Sequence, residues 1–285
     1  MIYAINYADS NFERNRGYNT KTAYSKGKVD KVIEYSPENI DEDFKKKYAN
    51  IFSYKRGNGL WLWKPYFILK TLYKIKDGDY LFYCDSGAIF VNKVKYLVDV
   101  LKNNNQSVML FETSLLSRQF TKKESFYLMD FNEFNHNQIL SGYILIKKNA
   151  NSVQFVHEWL DFMCDERILS YKHFLKEIEE FKDFVSHRED QSVLDILARK
   201  KRIPVYRDPS DYGDRPWQYA SKHWTFAEKT YNNSPYPKIL ISNRKSNPII
   251  YKYKEKIKTI LNHLNIYTKK YYFKKYNINP LKNEQ

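Results

Sequence analysis

Residues 78–87 read Gly-Asp-Tyr-Leu-Phe-Tyr-Cys-Asp-Ser-Gly. The run Tyr80-Leu81-Phe82-Tyr83-Cys84 has the composition of a buried strand and ends in one carboxylate, Asp85, followed by Ser86 and Gly87. In open α/β sheets, ligands bind beyond the carboxyl ends of the strands, and an acidic residue there can hold a divalent cation against a diphosphate. Asp-Ser-Gly also makes an ordinary turn.

Three further segments carry candidate chemistry. Tyr7-Ala8-Asp9-Ser10-Asn11 follows an expected first strand, and its polar groups can hydrogen-bond a nucleobase and ribose or simply cap a helix. Arg56-Gly57-Asn58-Gly59-Leu60-Trp61-Leu62-Trp63-Lys64-Pro65 combines glycines that allow close backbone approach, indoles that can wall a sugar, and cations. Lys64 falls at an expected helix start, where anions are favoured, although Trp61 and Trp63 can equally be core residues beside a surface lysine. His187-Arg188-Glu189-Asp190-Gln191-Ser192 precedes another expected helix. A carboxylate next to an amide suits sugar hydroxyls and positive charge at an anomeric carbon, and Asp190 or Ser192 can also serve as a cap.

The elements that must position these groups alternate. Strands are expected at Ile2–Tyr7, Lys31–Tyr35, Tyr80–Cys84, Ser107–Phe111, Gln138–Ile146 and Ile203–Tyr206. Helices are expected at Thr20–Lys26, Pro65–Ile75, Val94–Leu101, Val153–Met163 and Gln191–Leu197, with mixed helix and loop over Phe174–Val185. This predicts an open, mostly parallel or mixed sheet with helices on both faces.

No apolar run approaches the ~20 residues of a membrane span. The start, Met1-Ile2-Tyr3-Ala4-Ile5-Asn6, reads as a strand and not as a signal peptide. Cys84 and Cys164 are too few for a disulfide framework or a zinc cluster, so a reducing cytoplasm is expected. The net charge of +15 is uneven: Lys238 to Lys275 holds eleven Lys/Arg against one acid, Glu255, and supplies +10 of it. Residues 1–248 are therefore expected as one α/β domain and 249–285 as a basic, aromatic helical tail. Tyr253, Ile257, Ile260, Leu261 and Leu264 fall near helical spacing with lysines between, followed by Lys269-Lys270-Tyr271-Tyr272-Phe273-Lys274-Lys275. Such a tail suits an anionic inner-membrane surface, on whose cytoplasmic face the protein would sit peripherally, or it packs on the main domain with its lysines outward.

Taken in order, four segments resemble the retaining GT-A glycosyltransferases, which include glycogenin and the bacterial lipopolysaccharide galactosyl- and glucosyltransferases. Ala8-Asp9-Ser10-Asn11 resembles their donor-binding start, and Asp85-Ser86-Gly87 their Asp-x-Asp motif. Gln138 to Ile146, containing Gly142, resembles their Asn-x-Gly strand, and Asp190-Gln191-Ser192-Val193-Leu194-Asp195 their Asp-Gln-Asp-x-x-Asn. The Gly-x-Trp-x-Trp-Lys-Pro segment with Asp-x-Gly looks closer to a branch of capsule and lipooligosaccharide enzymes.

The resemblance implies a Rossmann-like GT-A nucleotide-sugar-binding fold, a UDP-sugar donor, a glycan or lipid-linked acceptor, and Mn2+ or Mg2+. By it, Ala8, Asp9 and Asn11 would hold uridine, Asp85 the metal, and Asp190 and Gln191 would lie at the anomeric carbon. Arg56, Trp63, Lys64, Ser86, Gly87 and Gly142 complete the expected donor site, with Arg244 and Lys245 on the diphosphate. The chain departs from the pattern in two places: Gly87 replaces the second acid, and Ser242-Asn243-Arg244-Lys245 lacks a histidine. Either His223 substitutes as metal ligand or arginine and lysine take over charge neutralisation. The competing readings are an inverting enzyme with Asp190 or Glu189 as base, a nucleic-acid-binding protein, which the absence of a recognised motif disfavours, and a non-catalytic glycan binder.

Overall fold

The computed structural model describes residues 1–243 and 246–283. Its strands are β1 (Ile2–Tyr7), β2 (Lys31–Tyr35), β3 (Tyr80–Cys84), β4 (Ile89–Phe90), β5 (Val108–Leu116), β6 (Asn137–Lys147), β7 (Val205–Arg207) and β8 (Leu240–Ile241). A six-stranded sheet has the order β2-β1-β3-β6-β5-β7, and β4 pairs with β8 in a small second sheet. β1 runs parallel to β2 and β3, whereas β6 is antiparallel to both β3 and β5. The sheet is thus mixed.

The main helices are α1 (Glu13–Thr22), α2 (Trp63–Leu72), α3 (Lys95–Asn103), α4 (Ala150–Met163), α5 (Glu189–Lys200), α6 (Pro248–His263) and α7 (Lys269–Tyr276). Alternation along β3 divides the core. Leu81 and Tyr83 pack with Phe67 and Leu72 of α2, Trp159 of α4 and Leu194 of α5. Tyr80, Phe82 and Cys84 pack on the other face with Leu97 and Leu101 of α3. Helices therefore cover both faces, and burial of each large apolar side chain contributes ~1.5–3 kcal/mol. With every residue of β3 buried, the position of Asp85 at its end is fixed by the core.

Two expected elements differ. The helix expected at Thr20–Lys26 begins at Glu13, and Ala23–Gly27 forms a π-turn. Over Phe174–Val185 no helix forms. There, buried side chains take the backbone groups that a helix would use. Glu124 accepts from the amides of Phe174 and Leu175 at 2.9 and 2.8 Å. Just before the segment, Lys122 donates to the carbonyls of Arg167 and Lys172, each at 2.5 Å.

The C-terminal helices pack on the segment around Pro216–Phe226. Asn247 caps α6, its Oδ1 accepting from the amides of Ile249 and Ile250. Arg215 and Glu255, each 1% exposed, form an ion pair beneath the helix. Phe273 and Ile278 join Trp217, Ala220 and Phe226 in a separate apolar cluster. Glu255→Ala would leave the buried Arg215 charge to the more distant Asp211 carboxylate, 4.0 Å away. It is expected to lower stability by about 3 kcal/mol in urea unfolding, and an unchanged midpoint would show that the pair holds nothing.

Candidate active site

Because β1 and β3 are parallel neighbours, their carboxyl ends share one edge of the sheet. Tyr7, Ala8 and Asp9 emerge there beside Asp85, Ser86 and Gly87, and all six line a cleft of about 710 Å³. Asp85 is fixed at its backbone, where its amide donates to the Gly142 carbonyl at 2.9 Å. The Tyr83 hydroxyl donates to its Oδ1 at 2.6 Å. Its side chain remains 54% exposed to the cleft. Gly142 makes a close approach: a Cβ there would lie 3.0 Å from Asp85 Oδ2, so that the carboxylate would have to shift by a few tenths of an ångström.

The opposite wall begins with an uncommon piece of backbone. Gly57, Asn58, Gly59, Leu60 and Trp61 all have positive φ, from +51° to +87°. The Leu60 amide donates to the Arg56 carbonyl at 2.9 Å and the Trp61 amide to the Gly57 carbonyl at 3.2 Å. This is one turn of left-handed helix, a conformation costing roughly 1–2 kcal/mol per non-glycine residue. Glycine is needed at 57, where a Cβ would lie 2.4 Å from the Trp61 ring. The turn is held from several sides. Asn58 donates to the Tyr7 hydroxyl. The Trp63 indole donates to the Gly57 carbonyl at 2.8 Å. Tyr7 stacks on Trp63 with ring centroids 3.7 Å apart. Its consequence is that Lys55, Arg56, Trp61, Trp63 and Lys64 all reach the cleft.

At the base, α5 begins with adjacent carboxylates, each held by its own cation. Arg56 grips Glu189 with two bonds, Nε to Oε1 at 2.6 Å and a terminal nitrogen to Oε2 at 3.2 Å. Lys64, 2% exposed, donates to Asp190, and its Nζ lies 3.8 Å from Asp85 Oδ1. Burial pushes both carboxyls up from the usual range, and the Lys64 and Arg56 cations pull them down. The Gln191 amide nitrogen donates to Gln138 Oε1 at 2.6 Å, which leaves its carbonyl oxygen as the acceptor that it can offer the cleft. Burial also drives the Tyr7 hydroxyl up to about 12, so it stays a proton donor at neutral pH.

Of the residues expected from sequence, Ala8, Asp9, Arg56, Trp63, Lys64, Asp85, Ser86, Gly87, Asp190 and Gln191 line this cleft. Gly142 stands behind Asp85, and Asn11 is exposed and bonded to Asp9 instead of lining the wall. His223 is exposed and does not line the cleft. Arg244 and Lys245 lie outside the described residues, although Asn243 just before them lines the wall. Asp195 is fully buried and serves the fold, accepting from the Ile139 amide at 3.0 Å and from the Ser117 hydroxyl.

Sequence reasoning missed Tyr7, Lys55, Asn58, Trp61, Tyr83, Ser141 and Arg188 as lining residues. Six of them had a visible signal, since Tyr7, Asn58, Trp61, Tyr83, Ser141 and Arg188 lie within the segments singled out from sequence, and Lys55 directly precedes one.

The divalent cation implied by the resemblance does not find its ligand set. Asp85 is the one side-chain carboxylate of Asp-Ser-Gly, and Gly87 has no side chain to ligate. Among the described residues, no group of three or more His, Cys, Asp or Glu could hold a metal. His223, expected as the second ligand beside Asp85, is not among the residues that line the cleft.

No protein-family model matches the chain, and no curated protein matches it. Among solved structures, it is similar to mouse xyloside xylosyltransferase 1, with 8% identity, TM-score 0.42, and coverage of 86% of this chain and 98% of that one. It is similar also to the galactosyltransferase LgtC in complex with donor and acceptor sugar analogs, with 12% identity, TM-score 0.44, and coverage of 89% and 95%. A glycosyltransferase involved in glycosylation of the major capsid of PBCV-1 gives 8% identity, TM-score 0.45, and coverage of 90% and 98%.

Proposed function

We propose that the protein is a glycosyltransferase that moves a hexose from a UDP-linked nucleotide-sugar to a growing bacterial surface glycan, in a capsule or lipooligosaccharide, with retention. The observation that carries this reading is the convergence of Asp85, Lys64 and Asp190 at the carboxyl ends of parallel strands, in a cleft walled by aromatic rings.

In this reading Ala8 and Asp9, at the end of β1, take the nucleoside. Transfer breaks the bond between the anomeric carbon and a diphosphate oxygen, so negative charge grows on the leaving group. Lys64, Arg56 and Lys55 line the cleft where that charge can be offset, and preorganised cations are worth most when water is excluded. Asp190 and the Gln191 carbonyl oxygen face the positive charge of an oxocarbenium-like sugar. Arg244 and Lys245 remain candidates for the diphosphate.

The experiment is a transfer and donor-hydrolysis assay over a panel of nucleotide-sugars, with donor affinity measured by calorimetry. Asp190→Ala and Gln191→Ala are expected to lower kcat by ~10²-fold or more while changing donor affinity little, because they remove interactions made in the transition state. Weakened donor binding with kcat intact would move both residues out of the reaction centre. Absence of turnover with every nucleotide-sugar, together with glycan binding, would favour a non-catalytic glycan binder. Inverting chemistry is the second reading, favoured by the upward push of burial on Glu189 and Asp190, which brings a carboxylate nearer to the range of a general base. The anomeric configuration of the product, read by NMR, decides between the two.

A further inference from the structure

Helix α6 is amphipathic in the inverted sense. Its inward face carries Glu255, 1% exposed and paired with Arg215, so charge lies underneath. Ile249, Ile250, Tyr253, Ile257, Ile260 and Leu264 instead point to solvent, each between 49% and 64% exposed. At 3.6 residues per turn these six fall within an arc of about 100°, the width of stripe that a globular helix ordinarily turns toward its core. Lysines border the stripe, Lys254 along one side and Lys252 and Lys256 along the other, while Lys258 turns in to pair with Glu255. The sole acid between Lys238 and Lys275 is Glu255, which is buried. The next helix adds exposed Lys270, Lys274 and Lys275.

We propose that this stripe is a docking surface for an anionic lipid bilayer, into which α6 settles in the plane of the interface. The chemistry of this surface selects that occupant. A contiguous exposed apolar surface of this kind marks an interaction site. Ile and Leu side chains reach the headgroup and acyl boundary, while lysine stems lie along the apolar surface and place their ammonium groups among lipid phosphates. Each lysine near such a surface adds attraction that salt screens. A second copy of the chain would oppose two lysine-edged stripes, and between Lys238 and Lys275 the one carboxylate that could pair them, Glu255, is buried, which disfavours self-association. The inference stands apart from the transfer reaction, because it rests on no cleft residue.

The test is flotation of the full chain with vesicles of phosphatidylglycerol and phosphatidylcholine, against phosphatidylcholine alone, at low and high salt. The wild-type chain is expected to float with the anionic vesicles and to be released as salt rises. Ile257→Gln with Ile260→Gln is expected to lower partitioning at least ~10-fold through lost apolar insertion. Lys254→Gln with Lys256→Gln is expected to lower it several-fold and to flatten the salt dependence. Circular dichroism melts show whether each variant is folded, and substitutions at these exposed positions are chosen to leave the buried Arg215–Glu255 pair intact. Three results would overturn the proposal: a wild-type chain that ignores anionic vesicles at low salt, a stripe variant that binds like wild type, or an oligomer in sedimentation that the stripe variant dissolves while vesicles are ignored. The last would assign the stripe to a second copy. Vesicle binding without turnover, or turnover without vesicle binding, separates this inference from the transferase reading.

Discussion

Lys64→Met is expected to reduce transfer by ~10²- to 10³-fold, the cost of removing one preorganised group that meets developing charge. It is also expected to destabilise the protein by about 3 kcal/mol, because Asp190 is left buried without its cation. The two losses separate in a double variant. Lys64 and Asp190 are both almost wholly buried, at 3% and 7% side-chain exposure, so the interior itself bears the unpaired charge. Lys64→Met with Asp190→Asn removes that charge and should recover most of the urea midpoint, yet stay inactive. If the single variant melts like wild type, the ion pair contributes nothing to the fold. If it turns over normally, Lys64 has no part in the chemistry.

Asp85→Asn should cost at least ~100-fold in kcat/KM while leaving thermal stability within about 0.5 kcal/mol. The asymmetry follows from its surroundings. The Asp85 side chain is half exposed, so its charge is solvated and supports no core. Asparagine keeps an oxygen to accept from the Tyr83 hydroxyl and nearly the same shape against Gly142, where space is short. What disappears is the negative charge 3.8 Å from Lys64 Nζ. Paired activity and melting measurements on purified Asp85→Asn check both halves. Near-normal turnover would reduce Asp85 to a turn residue.

The sheet was legible because its strands announce themselves. Tyr80–Cys84 is a wholly apolar run closed by a turn, and the structure makes it a fully buried strand with those bounds. Asp85, Lys64 and Asp190 could each be singled out from local composition, but their meeting could not. It needs the parallel pairing of β1 with β3 and a chain reversal before α2. The reversal was hidden because left-handed backbone at Leu60 and Trp61 contradicts the preference of those residue types, and tertiary contacts impose it. Phe174–Val185 misled for a related reason: its first amides, those of Phe174 and Leu175, are satisfied by Glu124, distant in sequence. In the tail, spacing gave the helix but not its rotation. The burial of Glu255 and the exposure of Ile249, Tyr253, Ile257 and Leu264 show that the apolar stripe faces out.

The last residue of β3 carries one more consequence. Cys84 is wholly buried next to Asp85, and burial pushes its thiol far above the ordinary range. Cys164 is half-buried and is raised only to about 11. A thiolate reagent reaches Cys84 only when the strand bearing Asp85 opens, so its labelling rate counts those openings, and Cys164 supplies an internal clock in the same chain. A molecule that binds the cleft only while that strand is closed slows that count in proportion to its occupancy. The protein thus contains a chemical stopwatch for identifying its own ligands without a coupled assay.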